Sequence, residues 1–160
     1  MSVADTPDDA NPSADPRRIL YRVDPAVVYL HGPPVVVDCS VMAALIFDEP
    51  AALDAERLLA GKALYAPTLL PYEIANVARN KQRAGLPAVD VNAAIAEFAE
   101  HPLQCIAPPI DEVLSLALRY SLSAYDAAYL WLSGRLHAPL ATFDRRLADA
   151  ARQYLGHAPD

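Results

Sequence analysis

Four acidic residues, Asp38, Glu73, Asp126 and Asp144, stand at points of the chain where a carboxylate can serve chemistry as well as structure. Asp38 closes the apolar run Val35-Val36-Val37, which reads as a strand buried on both faces of a parallel sheet. Asp144 follows Leu140-Ala141-Thr142-Phe143, the last clear strand pattern. Both acids therefore fall at carboxyl ends of parallel strands, the edge where an open α/β sheet binds its ligands. Glu73 lies in the first turn of a helix that starts directly after the strand Ala63 to Ala66, so it opens at the same edge. Asp126, in Ser123-Ala-Tyr-Asp126, shares one side of its helix with Tyr129 and Leu130, and a carboxylate beside bulky apolar groups needs a partner.

Each acid also has an ordinary structural reading. Asp38 and Asp144 suit turns or N-caps, Glu73 suits the positive end of a helix dipole, and Asp126 suits the third position of a capping box with Ser123. What tilts the balance is convergence. Four carboxylates drawn together raise one another's pKa unless a divalent cation compensates them. Oxygen-only ligands suit Mg²⁺ or Mn²⁺, ions that keep several waters and often contact phosphate. The chemistry implied is metal-assisted attack of water on a phosphodiester.

The elements that must position these acids alternate strand with helix. Ser40 is expected to cap a short helix through Phe47, and Ala52, Ala55 and Leu59 mark a second helix ending near Gly61. After the strand Ala63 to Ala66, Thr68 or Leu70 starts a helix with Pro71 in its first turn, and Gly85 stops it. Val91, Ala94, Ile95 and Phe98 mark the next helix, followed by the short apolar Gln104 to Ala107. Asp111 to Tyr120, Ala124 to Gly134 and Asp144 to Tyr154 supply three more helices. This rhythm predicts a three-layer α/β/α sandwich around a central, mostly parallel sheet. Residues 1–16 lack periodicity and read as a disordered acidic tail, and residues 17–34 as a strand-like accessory arm broken by Asp24-Pro25. The domain proper is expected over 35–156.

Composition agrees with one domain of ordinary size, since 160 residues with 54% apolar and 21% charged side chains can bury a sizeable core. No apolar run approaches the roughly 20 residues of a membrane helix, and the N-terminus lacks a secretory pattern, so a soluble cytoplasmic protein is expected. Cys39 and Cys105 show no metal or disulfide spacing, and both thiols are expected to stay reduced. The net charge of −7 is uneven: residues 1–16 carry Asp5, Asp8, Asp9 and Asp15 with no base, which leaves −3 for the remainder. Four of those remaining acids on a metal would leave the rest slightly basic, so an acidic pI does not exclude a nucleic-acid partner.

Four segments together resemble a known family: Val-Val-Asp38-Cys-Ser40, Ala-Pro-Thr-Leu-Leu-Pro-Tyr-Glu73-Ile-Ala-Asn76, Leu-Ser-Ala-Tyr-Asp126-Ala-Ala-Tyr129 and Pro-Leu-Ala-Thr142-Phe-Asp144-Arg-Arg-Leu. They resemble the PIN-domain endoribonucleases, specifically the VapC-type toxins of toxin–antitoxin pairs, from about Val35 to Tyr154. The resemblance implies an α/β/α sandwich whose acids, here Asp38, Glu73, Asp126 and Asp144, bind Mg²⁺ or Mn²⁺ and cleave RNA. It gives Ser40 and Thr142 as hydroxyls supporting the acids and Asn76 as their polar neighbour. It also implies a homodimer held inactive by a VapB-type antitoxin. The departures are the 34-residue N-terminal extension and Cys39 beside the first acid.

Candidate RNA contacts form two groups: Arg79, Lys81 and Arg83 at the end of the Glu73 helix, and Arg145 and Arg146 beside Asp144. Tyr72 and Tyr125, each immediately before a proposed ligand, are either base-stacking groups or core aromatics. His31, His101, His137 and His157 are scattered and carry no assignment. Two other classes compete. A non-catalytic PIN-like module binding RNA or protein would retain the acids structurally. A phosphoacceptor receiver needs a late lysine, and the lysines are Lys62 and Lys81 alone, which makes that reading poor.

Overall fold

Val35, Val36 and Val37 are buried at the centre of the sheet, as an uninterrupted β-branched run demands of a strand covered on both faces. The structure is a computed structural model that describes residues 32–156. The acidic tail expected over 1–16, nearly all of the arm expected over 17–34, and His31 and His157 lie outside the described residues. Of the arm, Pro34 belongs to the first strand instead, because it pairs with Ala63.

The elements run β1 (Pro34–Val37), α1 (Cys39–Ile46), α2 (Ala52–Leu59), β2 (Ala63–Pro67), α3 (Leu70–Arg83), α4 (Ala88–Glu100), β3 (Leu103–Ile106), α5 (Ile110–Tyr120), α6 (Ala124–Leu136), β4 (Leu140–Ala141) and α7 (Arg145–Leu155). All pairings are parallel, in the order β3-β2-β1-β4. The chain steps from β1 to β2 to β3 in one direction and then returns across the sheet to β4. Right-handed crossovers put α1 to α4 on one face and, after the reversal, α5 and α6 on the other. The result is the α/β/α sandwich expected, with α6 packed on β1, β2 and β4 and flanked by α5 and α7.

That reversal decides where a ligand can sit. The helices leaving β1 and β4 diverge to opposite faces, which opens a crevice beyond the carboxyl ends of these neighbouring strands. Asp38 and Asp144 occur at these two places. Beneath the crevice lies α6, buried on every side from Ala127 to Ser133, as expected of a helix with no polar face in its central turns. Its Gly134 allows α7 to approach, because a Cβ there would stand 2.3 Å from the Tyr154 ring. From this helix, Trp131 Nε1 donates to Glu112 Oε2 of α5 at 2.6 Å, and Ser133 Oγ donates to the Ala138 carbonyl just beyond its end.

Two local expectations need correction. Ser40 does not cap α1: the cap is Asp38, in extended conformation, and Ser40 sits within the first turn. Strand β4 is two residues long rather than four, because Thr142 leaves the strand and turns its hydroxyl to Asp38 and to the Asp144 amide.

Candidate active site

Strand β1 delivers Asp38 at its carboxyl end, where the backbone is anchored on both sides: Asp38 N–H donates to Ala141 and its carbonyl accepts from Val41 and Met42. The side chain does not cap the helix it precedes. It points into the crevice, and the residue is only 8% exposed. Ser40 Oγ donates to Asp38 Oδ2 at 2.8 Å, and Thr142 Oγ1 donates to the same oxygen at 2.6 Å. Each hydroxyl in turn accepts a backbone amide from the loop after β4: Phe143 N–H reaches Ser40 Oγ at 3.0 Å, and Asp144 N–H reaches Thr142 Oγ1 at 2.9 Å. Two relays thus tie the loop carrying Asp144 to the Asp38 carboxylate. Both donors converge on Oδ2, and no described residue donates to Oδ1.

Helix α3 presents Glu73 in its first turn, half-buried at the border of the face that Leu70, Ile74 and Ala78 bury. Tyr129 of α6 is buried and donates its hydroxyl to Glu73 Oε2 at 2.5 Å. Burial pushes the Glu73 carboxyl above the usual carboxylate range; the Tyr129 hydrogen bond works against this, while the charges of Asp38 and Asp126 push it further up. Burial also holds the neighbouring Cys39 thiol up to about 12, reinforced by Glu73 and Asp38. That proton stays on, so Cys39 adds no charge. Tyr129 is likewise pushed upward, by burial first and then by its bond to Glu73. Asp38, Glu73 and Asp126 therefore share one electrostatic environment.

Asp126 and Asp144 keep the structural roles that the local pattern allows. Ser123 caps α6, accepting from Asp126 N–H at 3.1 Å and donating to Asp126 Oδ2 at 2.7 Å. Asp144 caps α7, its Oδ1 accepting from Leu147 N–H at 2.9 Å. Asp144 is exposed and joins the other acids through Thr142 rather than by direct contact. Asn76 is exposed one turn beyond Glu73, and no described residue hydrogen-bonds its side chain. Tyr72 and Tyr125 are not core aromatics: they are 76% and 63% exposed, and Phe143 between Thr142 and Asp144 is 49% exposed.

A PIN-domain family model matches residues 35–153. The chain belongs to the PIN-domain family. Among its relatives, Ribonuclease VapC3 of Pyrobaculum aerophilum is 32% identical over 121 residues, which cover 72% of this chain and 92% of that protein. Ribonuclease VapC9 of Mycobacterium tuberculosis is 32% identical over 124 residues, covering 74% and 91%. Among solved structures, PAE2754 from Pyrobaculum aerophilum superposes with a TM-score of 0.60 at 25% identity, covering 81% of this chain and 93% of that one.

Whether this PIN-domain site suits a metal can be tested on its donors. Among the described residues, no three or more His, Cys, Asp or Glu side chains form a group that could hold an ion as they stand. The donor chemistry fits nonetheless. Every candidate ligand is a carboxylate oxygen, and the ion pairs among the described residues, Arg57–Asp54, Lys81–Glu49 and Arg152–Asp149, leave all four acids without a basic partner. Mg²⁺ is ordinarily held by one or two carboxylates plus waters and phosphate, not by a full protein cage.

Sequence reasoning missed the partner of Tyr129. The side that Tyr129 shares with Asp126 was legible, but the Glu73 carboxylate lies 56 positions away and no local pattern connects the two.

Proposed function

We propose that this chain is a metal-dependent endoribonuclease that hydrolyses RNA phosphodiester bonds as the toxin of a type II toxin–antitoxin pair. The observation that carries the reading is Asp38, a buried carboxylate at the strand-order reversal, fixed by two hydroxyls and paired with no cation among the described residues. A carboxylate so placed costs stability unless a charge balances it. Asp38 with Asp126 or Asp144 would hold Mg²⁺ or Mn²⁺ directly, and Glu73 would act through water or orient the nucleophile. When bound, the ion lowers the pKa of water and neutralises charge growing on the phosphate. Ser40 and Thr142 keep Asp38 in one rotamer, and Tyr129 keeps Glu73 pointing inward. In-line displacement would leave a 5′-phosphate and a 3′-hydroxyl.

The partners that accompany this reading are an RNA substrate, a VapB-type antitoxin and a second copy of the chain, in the cytoplasm. A homodimer is supported by Ile110, Leu114 and Leu118, which lie on successive turns of α5 at 85%, 58% and 74% exposure. No described helix is long and apolar enough to cross a membrane. Of the candidate RNA contacts, Arg145 and Arg146 adjoin Asp144. Arg79 and Arg83 lie about 9 and 15 Å down α3 from Glu73, at about 1.5 Å per residue.

One observation favours a non-catalytic RNA- or protein-binding module: no ligand group is closed among the described residues. Cleavage of RNA with Mg²⁺ or Mn²⁺, with EDTA, and with Asp126→Asn separates the two. Activity lost under both changes supports the nuclease. Activity indifferent to both, or a 2′,3′-cyclic phosphate product, rejects it.

A further inference from the structure

Beyond the acids, the C-terminal end of α5 and the N-terminal half of α7 enclose an open groove. It has two adjoining parts of about 390 and 440 Å³ that share Tyr120 and Gln153. Its walls carry Arg119, Ser121, Arg145, Arg146 and Asp149. The geometry points to this groove as the track for single-stranded RNA flanking the scissile phosphate, an assignment that rests on the ribonuclease reading above. Charge comes first. Arg119, Arg145 and Arg146 outnumber Asp149, whose carboxylate also pairs with Arg152 at 2.5 Å, so the lining carries an excess of positive charge. Arg145 and Arg146 open α7, where the helix dipole disfavours cations and where no acidic residue stands in the first turn. Helix stability does not explain that placement, whereas an anion lying across it does.

The groove also has a surface for bases. Tyr120 is half-buried, with the Arg119 guanidinium 5.4 Å from its ring centroid and Tyr154 edge-on at 5.9 Å. A braced aromatic ring beside an arginine combines base stacking with phosphate contact, as single-strand binders do. Position links the groove to the chemistry. Arg146 Nη2 donates to the Ser121 carbonyl, which fixes one wall against the segment that leads into Ser123 and Asp126. The other wall begins at Asp144. The groove therefore adjoins the two segments that carry Asp126 and Asp144. In the alternative basic group on α3, Lys81 is committed elsewhere, pairing with Glu49 at 2.5 Å and lying over Phe47.

The test is fluorescence anisotropy of the full chain with a labelled single-stranded RNA in EDTA, across a salt series, so that hydrolysis plays no part. Arg119→Gln is expected to weaken binding roughly fivefold and to reduce the salt slope by about 0.7, the contribution of one phosphate contact on a single strand. Arg57→Gln, on α2 at the opposite face, is expected to change neither. Affinity and slope unchanged by Arg119→Gln would overturn the groove. So would an acidic peptide that binds with the same Arg119 dependence as RNA, which would make this a protein-docking surface. RNA binding through Arg119 in a protein that cleaves nothing would leave the groove standing while the nuclease reading fell. Cleavage that is independent of Arg119, with unchanged affinity, would do the reverse.

Discussion

Replacing Thr142 by valine removes one hydroxyl while preserving side-chain shape and β-branching, so its effect isolates the bond to Asp38. That bond is 2.6 Å long and ends on a carboxylate only 8% exposed, where water has little access to replace the lost donor. A hydrogen bond to a charged group contributes about 1.5–3 kcal/mol, and Thr142→Val should lose most of that. The Asp144 amide also loses its acceptor, but Asp144 is exposed and water can take that place at little cost. Urea unfolding in EDTA measures the change, with the midpoint falling and the m-value unaltered. Repeating the substitution in an Asp38→Ala background completes a double-mutant cycle, and the penalty should nearly vanish there because the acceptor is gone. A loss below about 0.5 kcal/mol, or an equal loss with and without Asp38, would refute the relay as the element that holds this carboxylate.

Three further outcomes follow from the same geometry. Glu73→Gln in EDTA should leave stability unchanged at pH values below the ordinary carboxylate pKa, where folded and unfolded chains both keep the proton; the wild type should then lose stability as pH rises through the raised folded pKa, so the variant becomes relatively more stable toward neutrality, as thermal melts across pH would record. Tyr129→Phe removes the one contact that lowers the Glu73 pKa, and the acid limb of the cleavage profile should move to higher pH, whereas an unmoved limb would separate Glu73 from the reaction. Gly134→Ala should destabilise by about 1–3 kcal/mol through contact with the Tyr154 ring, measurable by chemical unfolding, and a neutral result would mean that α7 shifts freely.

Much of the architecture was legible because it depends on local pattern. The unbroken Val35-Val36-Val37 run marks a buried central strand, and Pro71 and Gly85 mark where the helix that carries Glu73 starts and stops. Asp126 and Asp144 fill the helix-start positions that the local pattern allows: Ser123 caps α6 by accepting from the Asp126 amide, and Asp144 caps α7 by accepting from Leu147 N–H. Less legible were the contacts that join distant segments. Ser40 looks like a helix cap to any local rule, yet its hydroxyl lies between Asp38 and an amide 103 positions away. Thr142 fits a strand by propensity but leaves it to reach Asp38, which shortens β4 to two residues. The groove between α5 and α7 sets Arg119 and Arg145 on adjoining parts that meet at Tyr120 and Gln153, and no spacing in the chain connects that pair.

Mn²⁺ titration of the full chain, followed by electron paramagnetic resonance, reads out whether Asp38, Glu73, Asp126 and Asp144 share a divalent cation. Saturable binding is expected, and it should be lost in both Asp38→Asn and Asp126→Asn, each still folded by circular dichroism. Binding that survives both substitutions, or a wild-type protein that takes up no Mn²⁺ with or without RNA, would contradict it.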